Sequence, residues 1–152
     1  MKAHDEQFAI RERRREKARL ERERQEAIRM AEKLSDDGKT NVAYVEKMGK
    51  VLGVMVRSRD ITLIPLQNIR DFFEEGSTLH HCVFRNKYYQ HNDCLIIGAR
   101  VNGRRTETIE IDTKEWKIVQ CRGKHNQSSR YHTRIVKLMN QNMNKFKEAM
   151  AL

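Results

Sequence analysis

Apolar and polar positions alternate with different periods along the chain, and the changes of period divide it. From Asp5 to Leu34 there is neither Gly nor Pro, nearly every residue is a good helix former, and no position between Arg11 and Lys17 is apolar. This pattern predicts a long charged helix that holds itself through side-chain pairs. Acid-to-base pairs recur at i,i+3 in Glu12–Arg15, Glu16–Arg19, Glu21–Arg24 and Glu26–Arg29, each contributing about 0.2–0.5 kcal/mol. Ala27, Ile28, Met30, Ala31 and Leu34 form a short apolar patch expected to dock on the rest of the chain, and Ser35-Asp36-Asp37-Gly38 stops the helix with Gly38 as a left-handed cap.

Beyond this extension (residues 1–38) the period shortens, and residues 41–152 read as one compact domain. Val51 to Arg57 and Ile61 to Ile64 predict a hairpin turning at Ser58-Arg59-Asp60, ended by Pro65, which has no ladder donor. Asn68 is an N-cap for a helix over Ile69–Glu75 closed by Gly76, and Ser77 or Thr78 would cap a further helical stretch from Leu79 to about Tyr89. Cys94–Val101, the turn Asn102-Gly103, Arg105–Asp112, the turn Thr113-Lys114-Glu115 and Trp116–Arg122 predict a three-strand meander. An amphipathic helix follows from about Ser129, with Ile135, Leu138, Met139 and Met143 on one face. The expected fold class is α+β: about five antiparallel strands, a hairpin plus a three-strand meander, packed with helices and preceded by the charged helix.

Composition adds a bias in partners. The formal net charge is +10 and the last helix is basic, with Arg130, Arg134, Lys137, Lys145 and Lys147 against Glu148 alone. Such a balance favours polyanions: DNA, RNA, an anionic membrane or an acidic protein face. The three cysteines, Cys82, Cys94 and Cys121, form no CxxC pair, and no signal peptide or membrane-spanning run is present, so free thiols in a reducing cytoplasm and no membrane insertion are expected.

Two polar strings carry the candidate chemistry: Leu79-His80-His81-Cys82-Val83 and Gln120-Cys121-Arg122-Gly123-Lys124-His125-Asn126. Strand alternation sets Trp116, Ile118, Gln120 and Arg122 on one face, Cys94, Ile96, Gly98 and Arg100 on another, and Glu107 with Ile109 and Ile111, where it is the carboxylate expected to pair with an arginine. A strand, a glycine, a polar loop and a helix start capped by Ser128 or Ser129 suit an anion. Anion- or nucleic-acid-binding candidates are thus Arg100, Gln120, Arg122, Lys124, Asn126, Arg130 and Arg134. Catalytic candidates are His80, His81, Cys82, Glu110 and His125. Consecutive residues on a helix point about 100° apart, so His81 would not serve Cys82 as a base there, and Cys82 is expected to be a buried apolar side chain. Cys121-x3-His125 is a tolerable zinc spacing, but paired ligand motifs are absent, so no metal and no cofactor are expected.

The ordered strings Glu74-Glu75-Gly76, Leu79-His80-His81-Cys82-Val83, Tyr88-Tyr89, Cys94-Leu95-Ile96, Thr108-Ile109-Glu110-Ile111-Asp112 and Val119 to Asn126 closely resemble the C-terminal region of PcfJ-like proteins over roughly residues 45–140. That family is encoded on bacterial conjugative plasmids and related mobile elements, and its members are usually longer. The resemblance implies a C-terminal portion, with the charged helix as its connection. It also implies an accessory role in conjugative DNA transfer, between the relaxosome and the coupling protein, and carries over no catalytic residues. The expected function is a basic module binding DNA or the relaxosome–coupling protein machinery. The alternative is an enzyme acting on a nucleotide or nucleic-acid phosphate through the two strings.

Overall fold

The computed structural model describes residues 2–83 and 86–152, with the side chains of residues 2–3, 30–31 and 33–37 outside the description. Helix α1 spans Lys2–Asp37. Two of its expected i,i+3 pairs are formed, Glu16–Arg19 at 2.8 Å and Glu12–Arg15 at 3.7 Å. Phe8, Ile10 and Leu20 are exposed, while Ala27 packs on the core and α1 contacts the two helices that follow. Met30, Ala31 and Leu34 of the expected docking patch lie outside the described side chains. Gly38 takes the left-handed conformation (φ 65°) that ends the helix.

The chain then forms α2 (Lys39–Met48), which the sequence pattern does not predict. Its apolar residues face both ways, with Tyr44 and Met48 buried but Val42 and Val45 exposed, so the helical period is blurred. A short 3-10 turn over Gly49–Gly53 replaces most of the expected first strand, leaving β1 only three residues, Val56–Ser58. It pairs with β2 (Ile61–Pro65).

Helix α3 spans Ile69–Leu79. Asn68 caps it as expected, its side chain accepting from the Asp71 amide at 2.8 Å. Gly76 does not close it, and no helix starts at Ser77. Ile69, Phe72, Glu75, Gly76 and Leu79 are all buried along one stripe, and burial of that stripe outweighs the roughly 1 kcal/mol cost of an interior glycine. His80 ends the helix instead, in the left-handed region (φ 52°). Residues 81–83 are bends and turn rather than the expected helix, and Tyr88–Gln90 form one 3-10 turn.

Strands β3 (Cys94–Val101), β4 (Arg104–Asp112) and β5 (Lys117–Gly123) complete one antiparallel sheet in the order β1-β2-β3-β4-β5. Asn102 and Gly103 both have positive φ, 52° and 78°, the conformation that Asn-Gly hairpin turns favour. The pairing slips twice. Glu107 faces Ala99 but Arg105 faces Arg100, leaving Thr106 as an extra residue. Glu110 faces Gln120 but Ile111 faces Ile118, leaving Val119 extra. The second bulge corrects the expected face: Ile118 lies with Ile111, opposite Gln120 and Arg122. Helix α3 covers the face carrying Thr108, and α4 (His132–Ala151) covers the face carrying Glu107, with Ile135, Met139, Met143 and Phe146 buried. The fold is therefore α+β, five antiparallel strands between helices.

Candidate functional site

The site forms where the end of α3 meets β4 and β5. Thr108 pairs with Arg122 and Glu110 with Gln120, which sets four polar side chains as a block on the α3 face of the sheet. The reversal at His80 turns the next residue inward: His81 is 9% exposed and hydrogen-bonds to Thr108, while Cys82 is exposed. Beyond Gly123 a 3-10 turn, Lys124–Asn126, carries Asn126 back over β5, with His125 and Asn126 both at positive φ. Together these segments enclose a cavity of about 200 Å³, lined by His81, Cys82, Thr108, Glu110, Gln120, Arg122 and Asn126, with Val83, Asn86, Tyr88 and Ile96 completing the wall.

Behind the cavity lies a chain of hydrogen bonds. His81 Nε2 meets Thr108 Oγ1 at 2.7 Å, and Thr108 Oγ1 donates to Glu75 Oε2 at 2.8 Å. Arg105 donates to Glu75 at 2.9 Å, Asp71 at 2.6 Å and Glu74 at 3.2 Å, so one guanidinium clamps three acids of α3. Gly98 makes room for this approach: a Cβ there would lie 3.1 Å from Glu75 Oε2. Burial pushes the Glu75 carboxyl up, against the pull of Arg105 and Thr108. Burial likewise lowers the His81 imidazole and raises Glu110, the latter opposed by His91.

The remaining candidates divide. His80 and His125 stack at 4.9 Å with their rings 7° apart, both exposed and outside the cavity lining. Burial, then His125 and Lys124, lower the His80 pKa. Lys124 borders a separate depression with Arg104, Arg105 and Thr106. Arg100 approaches Asp71 at 3.7 Å, Arg134 bonds Asp60 at 2.7 Å, and Arg130 lies over the Tyr131 ring at 4.9 Å. Arg100 and Arg134 therefore already have acid partners. Arg122 has no ion pair among the described residues, and Cys82 is exposed at the cavity rather than buried as expected.

Glu107 corrects two further expectations. It is fully buried and faces away from Arg122, so its partner is not an arginine. It accepts from Cys121 Sγ at 3.0 Å, from the Ser129 amide at 3.0 Å, from the Ser129 hydroxyl and from His132 Nδ1 at 2.7 Å. The anion placed just before α4 is thus the protein's own carboxylate, and neither Ser128 nor Ser129 is the N-cap, which is Tyr131. Burial and this carboxylate both push the Cys121 thiol up. Glu107, Cys121 and His132 offer metal-ligand atoms within 4.8 Å of one another, but the carboxylate is already satisfied by four donors. The Cys121-x3-His125 spacing does not converge: Cys121 is buried on the Glu107 face, His125 is exposed and stacked on His80, and Cys94 opens β3 with its thiol pushed up to about 12 by burial.

Thr108, Glu75, Asn86 and Tyr88 belong to the site or its support without having been singled out as site residues. The signal for Glu75 was its place on the apolar stripe of α3, where an unpaired acid would cost several kcal/mol. No curated protein and no solved structure matches the chain. One family model does, that of PcfJ-like protein, over residues 1–136, a span that includes α1, the whole sheet and every residue lining the cavity. The chain belongs to the PcfJ-like protein family.

Proposed function

We propose that this chain is a basic accessory module of conjugative DNA transfer that takes a phosphate-bearing ligand, a nucleotide or the free end of a nucleic-acid strand, in the cavity between α3 and β5. The observation that carries this reading is the convergence of Arg122, Gln120, Asn126 and His81 on one cavity. A guanidinium with no ion pair among the described residues, beside amide donors, suits a phosphate group. A cavity of about 200 Å³ admits a phosphate with part of its sugar rather than a duplex. Lys124 and Arg130 are exposed near the β5–α4 junction, and Lys137, Lys145 and Lys147 are exposed on α4, across the sheet from the cavity, so a longer strand that reaches them gains further attraction. DNA and the relaxosome–coupling protein machinery are the partners the family suggests, and the bacterial cytoplasm is the setting. Among the described residues no helix is long and apolar enough to cross a membrane.

Fluorescence anisotropy with single-stranded DNA and with a nucleoside monophosphate tests this reading. Arg122→Gln is expected to weaken nucleotide binding about tenfold or more, since a hydrogen bond to a charged group contributes about 1.5–3 kcal/mol. A wild-type protein that binds neither probe at low salt would sink it.

A second reading, an enzyme acting on a nucleotide or nucleic-acid phosphate, is favoured by one observation. The same cavity holds an acid–base set, with His81 kept toward its neutral form and Glu110 shifted toward its protonated form by burial. Turnover of a phosphodiester probe, lost in both His81→Gln and Glu110→Gln, would establish it; tight binding with no turnover favours the binding module.

A further inference from the structure

The hydrogen-bond chain behind His81 has a direction. A threonine hydroxyl has one proton to give. Thr108 Oγ1 gives it to Glu75 Oε2 at 2.8 Å; burial pushes the Glu75 carboxyl up, but the Arg105 guanidinium 2.9 Å from its other oxygen favours the carboxylate, which cannot donate in return. Thr108 is therefore left as an acceptor toward His81 Nε2, 2.7 Å away, and that nitrogen must carry the ring proton. Nδ1 is then the ring's lone-pair nitrogen. Among the described residues it meets only the Val83 amide, at 3.5 Å, a distance at which a hydrogen bond is weak. Its ring forms part of the cavity wall.

We infer that Glu75 and Thr108 are positioning residues that fix His81 as the Nε2–H tautomer, so that Nδ1 is the cavity's hydrogen-bond acceptor, and that the ligand brings a hydroxyl to it while its anionic group meets Arg122. The inference rests on the phosphate-site reading for its ligand, and on the relay alone for the tautomer. It narrows the ligand class: a bare anion satisfies Arg122 but leaves Nδ1 unused, whereas a nucleotide carries both a phosphate and sugar hydroxyls. The polar groups that remain are matched in kind, since Gln120 and Asn126 can each donate and accept. Glu110, the other ionisable wall residue beside Cys82 and Tyr88, lies two residues along β4 from Thr108 on the same face.

Nitrogen-15 correlation spectra of the full chain at neutral pH test both parts. In the free protein the His81 Nε2 is expected at a pyrrole-type frequency and Nδ1 at a pyridine-type one. Thr108→Val is expected to abolish this preference and give averaged shifts, while Thr108→Ser, which keeps the hydroxyl, restores it. An Nδ1–H tautomer, an imidazolium, or a Thr108→Val spectrum identical to wild type would each overturn the positioning role. Addition of a nucleoside monophosphate is expected to move both the Arg122 Nε and His81 Nδ1 resonances, and sulfate, which has no proton to donate, only the former. A nucleotide that moves Arg122 but not His81 would refute the hydroxyl contact while leaving the phosphate site standing. A nucleotide that moves neither would remove the ligand altogether, with the tautomer measurement still deciding the relay.

Discussion

At the scale of single residues, the site is governed by what lies one hydrogen bond behind it. His81 is the clearest case, because the helix expected over Leu79–Tyr89 would have fanned His80, His81 and Cys82 around an axis. The left-handed turn at His80 separates them instead, leaving His80 and Cys82 exposed and His81 buried on Thr108. Histidine is one of the non-glycine residues enriched in the left-handed region, but such turns are uncommon and the preference is too weak to place one at His80, so this part of the site was illegible in the sequence. Burial lowers the folded-state pKa of His81 below its ordinary value of about 6.5. The unfolded chain therefore takes up this proton first as the pH falls, so the His81 contribution is full above about pH 6.5 and is lost on acidification. Glu75 and Glu110, shifted up, act in the opposite sense. His81→Gln is thus expected to lose less stability than wild type between about pH 7.5 and about pH 5.5, read from urea midpoints at each pH. An equal loss in the two proteins would show that His81 titrates normally.

At the scale of elements, the strands of the meander were the most readable part. Cys94–Val101 has the expected bounds, and Asn102-Gly103 forms the expected turn, because hairpin signals are local and their chemistry is strict. The register was less readable. Bulges sit at Thr106 and Val119, and nothing in a two-residue period announces them. They decide which side chains reach the cavity: without the slip at Val119, Ile118 would share a face with Gln120 and Arg122. The β5–α4 junction shows the same dependence. A Cβ on Gly123 would lie 2.7 Å from the Thr106 carbonyl oxygen and 3.2 Å from Glu107 Cγ. These are backbone and buried atoms with little freedom to move, so Gly123→Ala is expected to destabilise the fold by about 1–3 kcal/mol. It should also shift the Cys121 environment, checked by urea unfolding together with thiol accessibility. Wild-type stability in this variant would mean that the junction yields easily.

At the scale of the molecule, charge and fold class were legible early, because both are sums over many residues. Helix α2 was not, since its exposed Val42 and Val45 obscure the face that Tyr44 and Met48 bury. The distribution of the +10 charge matters more than its size. Arg105 is engaged by α3, and Arg134 by Asp60, whereas Lys145 and Lys147 remain exposed on α4. Two kinds of variant should therefore separate on DNA. Reversing Lys145 and Lys147 to Glu is expected to reduce the slope of log affinity against log salt by about one for each phosphate no longer neutralised, with nucleotide binding intact. Arg122→Gln is expected to do the reverse, costing nucleotide affinity with a smaller change in slope. Identical behaviour of the two variants would merge cavity and surface into one interface.

The two outer strands have a consequence for how the molecule lives in a crowd. A sheet open at both sides invites strand addition from another chain. Here β1 offers only three residues, and β5 is interrupted by the bulge at Val119 between Lys117 and Gln120. Neither side presents a long flat run of free backbone donors and acceptors. The irregularity that turns Gln120 and Arg122 toward the cavity also makes the sheet a poor template for its own copies, so binding geometry and resistance to aggregation are set by the same residue.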